Sequence, residues 1–185
     1  MRAQPLLRRR VSDAPAALIP GIAADGSLFP IEKMQAHREG ALHLAVSVFV
    51  MDGDALLLQQ RAPGKYHCGG LWANTCCSHP AWGESAVDAA HRRLREEMGL
   101  RLPLSARNVI DYEADVTDGL REVERVHVFR GEARAADLVA APDSAEVSAV
   151  HWAPIGRIRD DAYTRPHRYA PWFRIYLDRW DELGV

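Results

Sequence analysis

The chain has 185 residues, 48% of them hydrophobic and 26% charged, and its formal net charge is -2. This length suits one domain with a buried core, and the balanced charge gives no general attraction to nucleic acid or to an anionic membrane. No apolar run approaches the roughly 20 residues that span a bilayer. We therefore expect a cytoplasmic protein without a nucleic-acid partner or membrane insertion, and we favour a monomer.

The N-terminal residues 1–18 contain Arg2, Arg8, Arg9 and Arg10 without apolar periodicity. This pattern predicts a basic, flexible arm, which is a candidate lid over a site. Residues 19–185 then form a single catalytic domain.

Strand-like and helical patterns follow each other along this domain. Valine-rich residues 43–51 predict a buried strand, which Asp52-Gly53 joins to a second strand at 55–61. Ser85 and Gly99 are the expected caps of the clearest helix. The other predictions are extended segments at 17–22, 27–30, 108–114, 122–131 and 147–152, a helical turn at 32–39, and an amphipathic helix from Pro171. This order predicts an α/β or α+β fold with a mixed sheet.

Cys76, Cys77 and His79 stand close together just before the helix at 85–98. Thiol and imidazole groups suit nucleophilic, proton-transfer or metal chemistry near neutral pH. With Cys68, the chain has three cysteines, which is too few for a disulfide framework and lacks the paired spacing of a structural zinc site. A catalytic or single-ligand role therefore explains these thiols better.

Carboxylates occur in two further places. Glu97 lies one helical turn after Arg93, where it either holds a divalent cation with a phosphorylated ligand or forms a solvated surface pair with Glu96. Glu122 and Glu124 alternate along a predicted strand and share one face of it. If that face is buried, both carboxylates need a metal, a partner or a proton. The alternative is a strand that starts later and leaves both in solvent.

Three of the eight histidines stand near these groups in the predicted arrangement. His37 and His43 flank the start of the first core strand, and with His79, Glu122 and Glu124 they offer a ligand set that suits manganese or zinc. The remaining histidines are assigned structural roles: His67, His91, His127, His151 and His167. Arg61 and Lys65, in and beside the next loop, either bind phosphate or are ordinary solvated charges.

The stretch from Gly83 to Leu100 resembles a degenerate Nudix box, which it matches at Glu84, Arg92, Leu94, Glu96, Glu97, Gly99 and Leu100. Ser78 stands in place of the first glycine, and Arg93 replaces the first glutamate of the helix. The departures resemble one branch of the family, the type 1 isopentenyl-diphosphate delta-isomerases. Its cysteine motif is similar to residues 74–80, and its glutamate motif is similar to residues 122–124.

This resemblance implies a Nudix-type α/β/α sandwich around a mixed sheet, and a reaction that converts isopentenyl diphosphate to dimethylallyl diphosphate through a tertiary carbocation. It implies the following roles: catalysis by Cys77 and Glu124 with help from Tyr112; a first metal, Mn²⁺ or Zn²⁺, on His37, His43, His79, Glu122 and Glu124; Mg²⁺ on Glu97; diphosphate contacts from Lys33, Arg61, Lys65 and Arg93; and stacking by Trp172 over the hydrocarbon end. His37 and His43 stand six residues apart, one fewer than the resemblance leads us to expect.

Two other functions fit the same residues less well. A Nudix hydrolase would need the helix glutamate that Arg93 replaces. A non-catalytic diphosphate-binding module would need neither the thiol nor the strand glutamates.

Overall fold

The structure, a computed structural model, describes residues 17–185. Within this range the chain forms one mixed sheet of nine strands with helices on both faces. The strands are β1 (Leu18–Ile22), β2 (Leu28–Glu32), β3 (His43–Asp52), β4 (Ala55–Arg61), β5 (Trp72–Ala73), β6 (Cys76–Ser78), β7 (Leu104–Asp115), β8 (Arg121–Glu132) and β9 (Val147–Pro154). The α-helices are α1 (Lys33–Glu39), α2 (Ala86–Met98), α3 (Ile155–Thr164), α4 (Pro171–Asp178) and α5 (Trp180–Leu183).

Strand β3 is the centre of the sheet. Along one edge it pairs in parallel with β8, which in turn pairs antiparallel with β7. Its other edge is shared by β1, β6 and β4, which all run antiparallel to it. Residues of β1, β6 and β8 are therefore brought beside the first half of β3, whereas β4 pairs with its end.

The alternation of side chains along β3 divides the core into two layers. Phe49 and Met51 face a cluster built with α3, α4 and α5, which includes Trp172 and Tyr176. Val46, Val48 and Val50 face the other cluster, which α2 covers with residues such as Leu94. Because both faces of β3 are buried, its sequence is a continuous apolar run. The predicted α/β/α arrangement around a mixed sheet is confirmed.

The caps of α2 have the predicted chemistry, and α1 ends at a glycine that was not predicted as a cap. The Ser85 hydroxyl accepts from the backbone N–H of Asp88 at 3.2 Å, and Gly99 ends α2 with a φ of 69°. Gly40 ends α1 with a φ of 63°, a left-handed conformation that costs glycine little. This tight exit leaves only a short connection between α1 and β3.

Several sequence-based boundaries were wrong or incomplete. Helix α3 was not predicted, β7 begins four residues earlier than expected at Leu104, and the final helix is interrupted at Arg179. The predicted arm at 1–18 lies outside the described residues except for Ala17 and Leu18, and Leu18 already belongs to β1. In the described part of the chain, no helix is long and apolar enough to cross a membrane.

Candidate active site

Strand register brings three of the predicted site residues into one row. His43 on β3 is the parallel partner of Glu124 on β8, and Glu124 is the antiparallel partner of Tyr112 on β7. All three side chains are buried. Glu122 is also buried, so the strand begins early enough to carry both carboxylates inward, and the alternative of two solvated glutamates is excluded.

Two further histidines meet this row from outside the β3–β8–β7 register. His37 comes from α1, with its ring centroid 5.0 Å from that of His43, and His79 follows β6, with its centroid 5.0 Å from the same ring. Each of the four residues His37, His43, His79 and Glu124 offers a ligand atom, and these atoms lie within 4.8 Å of one another. The spacing between His37 and His43 is accommodated by the turn at Gly40.

The nitrogen chemistry of this group fits a cation. Nδ1 of His37 donates to the Lys33 carbonyl at 2.8 Å, and Nδ1 of His43 donates to the Ala41 carbonyl at 2.7 Å, so each neutral ring directs a lone pair from Nε2 into the cluster. Nε2 of His37 has no partner in the described chain.

Nε2 of His43 lies 3.2 Å from Nε2 of His79 and 3.4 Å from Oε1 of Glu124, and Nε2 of His79 lies 3.0 Å from the same oxygen. Nδ1 of His79 has no partner in the described residues, so its ring can carry the proton on Nε2 and donate it to Oε1 of Glu124. A metal ion bound here would instead take lone pairs from these ligand atoms together. Burial lowers the pKa of His79 to about 3, which keeps it neutral as a ligand must be.

Tyr112 joins the two strand carboxylates. Its hydroxyl lies 2.9 Å from Oε2 of Glu122 and 2.7 Å from Oε2 of Glu124. One phenolic proton cannot serve both oxygens, so a proton on Glu122 completes the pattern when no cation is bound. Burial and the charge of Glu124 raise the pKa of Glu122 well above its usual value. Burial also acts to raise the pKa of Glu124, but its contacts with His43 and His79 outweigh burial and hold that pKa well below its usual value.

His67 was wrongly left among the structural histidines. It lines the same pocket, its Nε2 lies 3.4 Å from Oε1 of Glu122, and with His37 and Glu122 it forms a second group able to hold a metal. Glu122 thus groups with His37 and His67, and not with the full set of His37, His43, His79 and Glu124 to which the sequence assigned it. No spacing signal pointed to His67, because its loop reaches the site only through the fold.

The two adjacent cysteines have different surroundings. Cys76 is fully buried and packs in the α2 layer. Cys77, its neighbour on the opposite face of β6, lines the pocket. Burial and the negative charges of Glu124 and Glu122 raise the pKa of the Cys77 thiol, so it carries its proton at neutral pH. Ser47, which sequence reasoning missed, donates a hydrogen bond to its sulfur at 3.3 Å.

Four basic residues line the pocket: Lys33, Arg61, Lys65 and Arg93. Burial, together with the charges of Lys65 and Arg93, lowers the pKa of Lys33 to about 8. Arg93 pairs with Glu97 at 2.7 Å and approaches Glu146 at 3.4 Å, and Lys65 also pairs with Glu146. Glu97 is buried, so the alternative of a solvated surface pair is excluded for it. Glu146 was not anticipated from the sequence.

An aromatic wall closes the pocket. Trp172 is 1% exposed, and the guanidinium carbon of Arg61 lies 5.1 Å from its ring centre. Tyr66, another residue that the sequence did not indicate, has Lys33 4.7 Å from its ring centre. The free space is about 20 Å³, room for about one water molecule. Entry of a larger ligand therefore requires these side chains to move.

Comparison with known proteins agrees with this geometry. The NUDIX domain model matches residues 41–173. Curated proteins named isopentenyl-diphosphate Delta-isomerase are similar over most of the chain. That of Cereibacter sphaeroides is 49% identical over 154 residues, which cover 83% of this chain and 86% of the relative. That of Dinoroseobacter shibae is 51% identical, over 83% of this chain and 87% of the relative.

The chain belongs to the isopentenyl-diphosphate Delta-isomerase family, within the Nudix proteins. Solved structures show the same fold at low identity. A Deinococcus radiodurans protein superposes with a TM-score of 0.71 at 12% identity, over 88% of this chain and 98% of that one. A MutT protein from Methanosarcina mazei gives 0.60 at 17% identity, over 76% and 93% of the two chains. At these identities the likeness concerns the fold alone.

Proposed function

We propose that this chain interconverts isopentenyl diphosphate and dimethylallyl diphosphate, as the names of its relatives imply. The observation that carries the proposal is one pocket lined by a protonated thiol, Cys77, and a buried carboxylate, Glu124, beside four basic side chains. Moving a double bond along a carbon chain requires one proton to be added and another to be removed. A thiol and a carboxylate are suited to these two tasks.

Cys77 and Glu124 share the proton transfers, one donating and the other accepting. Either direction balances, because the substrate and product are isomers and the pair exchanges roles in the reverse reaction. Tyr112, which donates to Glu124 at 2.7 Å, holds that carboxylate in place. When Glu124 has taken the substrate's proton, it passes that proton to the Tyr112 oxygen while Tyr112 gives its own to Glu122, 2.9 Å away. We assign these three residues as the catalytic group.

The cluster of nitrogen and oxygen ligands is the proposed metal site. Mn²⁺ or Zn²⁺ would be held by His37, His43, His79 and Glu124. An oxygen of Glu122 or a nitrogen of the neighbouring His67 would complete the ligand set. When bound, the metal supplies positive charge that keeps both carboxylates ionised and lowers the basicity of Glu124. The protein residues supply its position.

Substrate diphosphate would be bound by Lys33, Arg61, Lys65 and Arg93. Glu97 would hold a Mg²⁺ that also contacts the diphosphate oxygens, since Mg²⁺ prefers carboxylate and phosphate ligands. In this structure, Glu97 pairs with Arg93 and Glu146 pairs with Lys65, so the positive charge of these two side chains is partly neutralised. The diphosphate would replace Glu146 as their partner.

Trp172 is assigned to the hydrocarbon end of the substrate. An aromatic face stabilises a nearby cation by about 0.5–2 kcal/mol, which suits a tertiary carbocation intermediate. Its ring already lies beside the guanidinium of Arg61, a cation of the protein.

Isotope incorporation tests the reaction. Purified protein would be supplied with isopentenyl diphosphate in D₂O together with Mg²⁺ and Mn²⁺. Deuterium-labelled dimethylallyl diphosphate is the expected product. Release of phosphate or a monophosphate would instead favour the Nudix hydrolase, and unchanged substrate with measurable binding would favour the non-catalytic module. We also propose a cytoplasmic location and a monomeric state, which cell fractionation and light scattering would test.

A further inference from the structure

Cys77 is held by a hydroxyl pair that comes from the core rather than from the pocket. Ser47 on β3 is the direct antiparallel partner of Cys77 on β6. Its hydroxyl oxygen lies 3.3 Å from the Cys77 sulfur and 3.1 Å from the Tyr176 hydroxyl. Both Ser47 and Tyr176 are 0% exposed. The three groups therefore form a chain from α4 through β3 to the thiol.

Counting the donors and acceptors among these three groups fixes the direction of their hydrogen bonds. In residues 17–185, Ser47 is the only hydrogen-bond partner of the Tyr176 hydroxyl. If Ser47 donated to Tyr176, the phenolic proton would have no acceptor, although it is fully buried. If Tyr176 donates to Ser47 and Ser47 donates to Cys77, every buried donor has an acceptor. The second arrangement is the satisfied one.

The ring of Tyr176 is fixed by its neighbours. It meets Tyr112 edge to face, with centroids 5.6 Å apart, and it lies 5.8 Å from Phe49. Alanine and phenylalanine would fill these two core positions without any polar group to satisfy. The hydroxyls of Ser47 and Tyr176 thus need an explanation beyond packing, and their shared end point is the sulfur.

We propose that Ser47, supported by Tyr176, is a positioning residue for the Cys77 thiol, an inference that rests on the proposed role of Cys77. A sulfur that accepts from Ser47 on its core side directs its own S–H towards the pocket. When the proton has been transferred, the same fully buried hydroxyl donates to the negative sulfur. Ser47 touches no substrate and acts through Cys77 alone.

Steady-state kinetics of single and double variants test this role. Ser47→Ala is expected to lower kcat by about 10- to 100-fold, the value of one hydrogen bond to a group that becomes charged. Its KM should stay within about twofold, because the diphosphate contacts are untouched. Tyr176→Phe should lower kcat less, and the double variant should match Ser47→Ala, because Tyr176 acts only through Ser47. Additive losses, or a rise in KM with kcat unchanged, would overturn the proposal.

A matched control separates this role from general stability. Tyr169→Phe also removes a tyrosine hydroxyl, one that donates to Asp161 at 2.8 Å outside the pocket. It should leave kcat unchanged at a comparable loss of thermal midpoint. If Ser47→Ala does not fold, Tyr176→Phe compared with Tyr169→Phe decides alone: equal kcat values for the two would contradict the inference.

Cys77→Ala, measured alongside, distinguishes the two possible failures. Turnover that persists in Cys77→Ala would refute the assigned thiol, and with it the premise. An inactive Cys77→Ala variant together with a fully active Ser47→Ala variant would refute the positioning role only.

Discussion

The pocket has two halves of opposite chemistry, one formed by histidines and a carboxylate and the other by basic side chains. The histidine half consists of His37, His43, His79 and Glu124. In it, Nε2 of His43, Nε2 of His79 and Oε1 of Glu124 lie 3.0–3.4 Å from one another. The basic half consists of Lys33, Arg61, Lys65 and Arg93, and there the protein's own carboxylates already pair with two of the cations. The histidine half offers ligands for a cation, whereas the basic half already pairs with carboxylates of the protein.

This difference indicates how each half responds to its ligand. Metal binding to the histidine half should stabilise the fold. Diphosphate binding to the basic half must displace internal ion pairs, so part of its binding energy is offset. The following predictions test that contrast, from the largest expected effect to the smallest.

Cys77 is exposed to the pocket between the two halves, whereas Cys76 is not. Cys77→Ala should abolish turnover, because it removes the proton-transfer group. Cys76→Ala, the matched control, should keep most activity and lose only packing. Metal content and diphosphate binding should be unchanged in both variants. Equal losses of kcat would show that the thiol was wrongly chosen.

In the histidine half, His43→Gln should lose metal and most activity. For the unaltered protein, free Mn²⁺ or Zn²⁺ at about 100 times its Kd should add about 2.7 kcal/mol to the free energy of unfolding. His43→Gln should show little of this gain in thermal melts. His127→Gln, on the same strand as Glu124 but outside the cluster, provides the control. A metal-dependent rise in His43→Gln equal to that of the control would contradict the assignment.

Glu97 is the proposed ligand of Mg²⁺ in the basic half. Glu97→Gln should raise the Mg²⁺ concentration that gives half-maximal rate by about tenfold or more, since a carboxylate ligand is lost. It also removes the negative charge that pairs with Arg93 at this position, so diphosphate binding without Mg²⁺ should not weaken. Titration of activity with Mg²⁺ measures the first effect and binding of inorganic diphosphate the second. An unchanged Mg²⁺ requirement would remove Glu97 from the site.

Glu146 pairs with Lys65 and Arg93, so it should compete with the substrate for them. Glu146→Gln should lower KM by up to about fivefold, the range expected when a partly exposed ion pair is removed. Its kcat should be little affected. Glu132→Gln, which removes an exposed pair with Arg130, serves as the control. A higher KM in Glu146→Gln would mean that the carboxylate aids binding rather than competing with it.

Much of the fold could be predicted because local chemistry decided it. The valine run of β3, the Asp52-Gly53 hairpin and the capped helix α2 were all anticipated. The strand pattern left open whether Glu122 and Glu124 face the core or solvent, and the structure shows that they face the core. Helix α3 was missed, since its ten residues carry only two buried side chains and no side-chain N-cap. The break at Arg179 was missed because the apolar stripe continues across it.

The sequence by itself determined the family, the fold class and the residue types of the site. Chain-local patterns carry this information: alternation along strands, caps, and the cysteine and glutamate motifs. Only the tertiary structure decided which partners meet. Ser47 faces Cys77 through strand register, and His67 reaches Glu122 from a loop more than fifty residues away in sequence. Such contacts depend on how distant strands pair, and no spacing within one segment records that pairing.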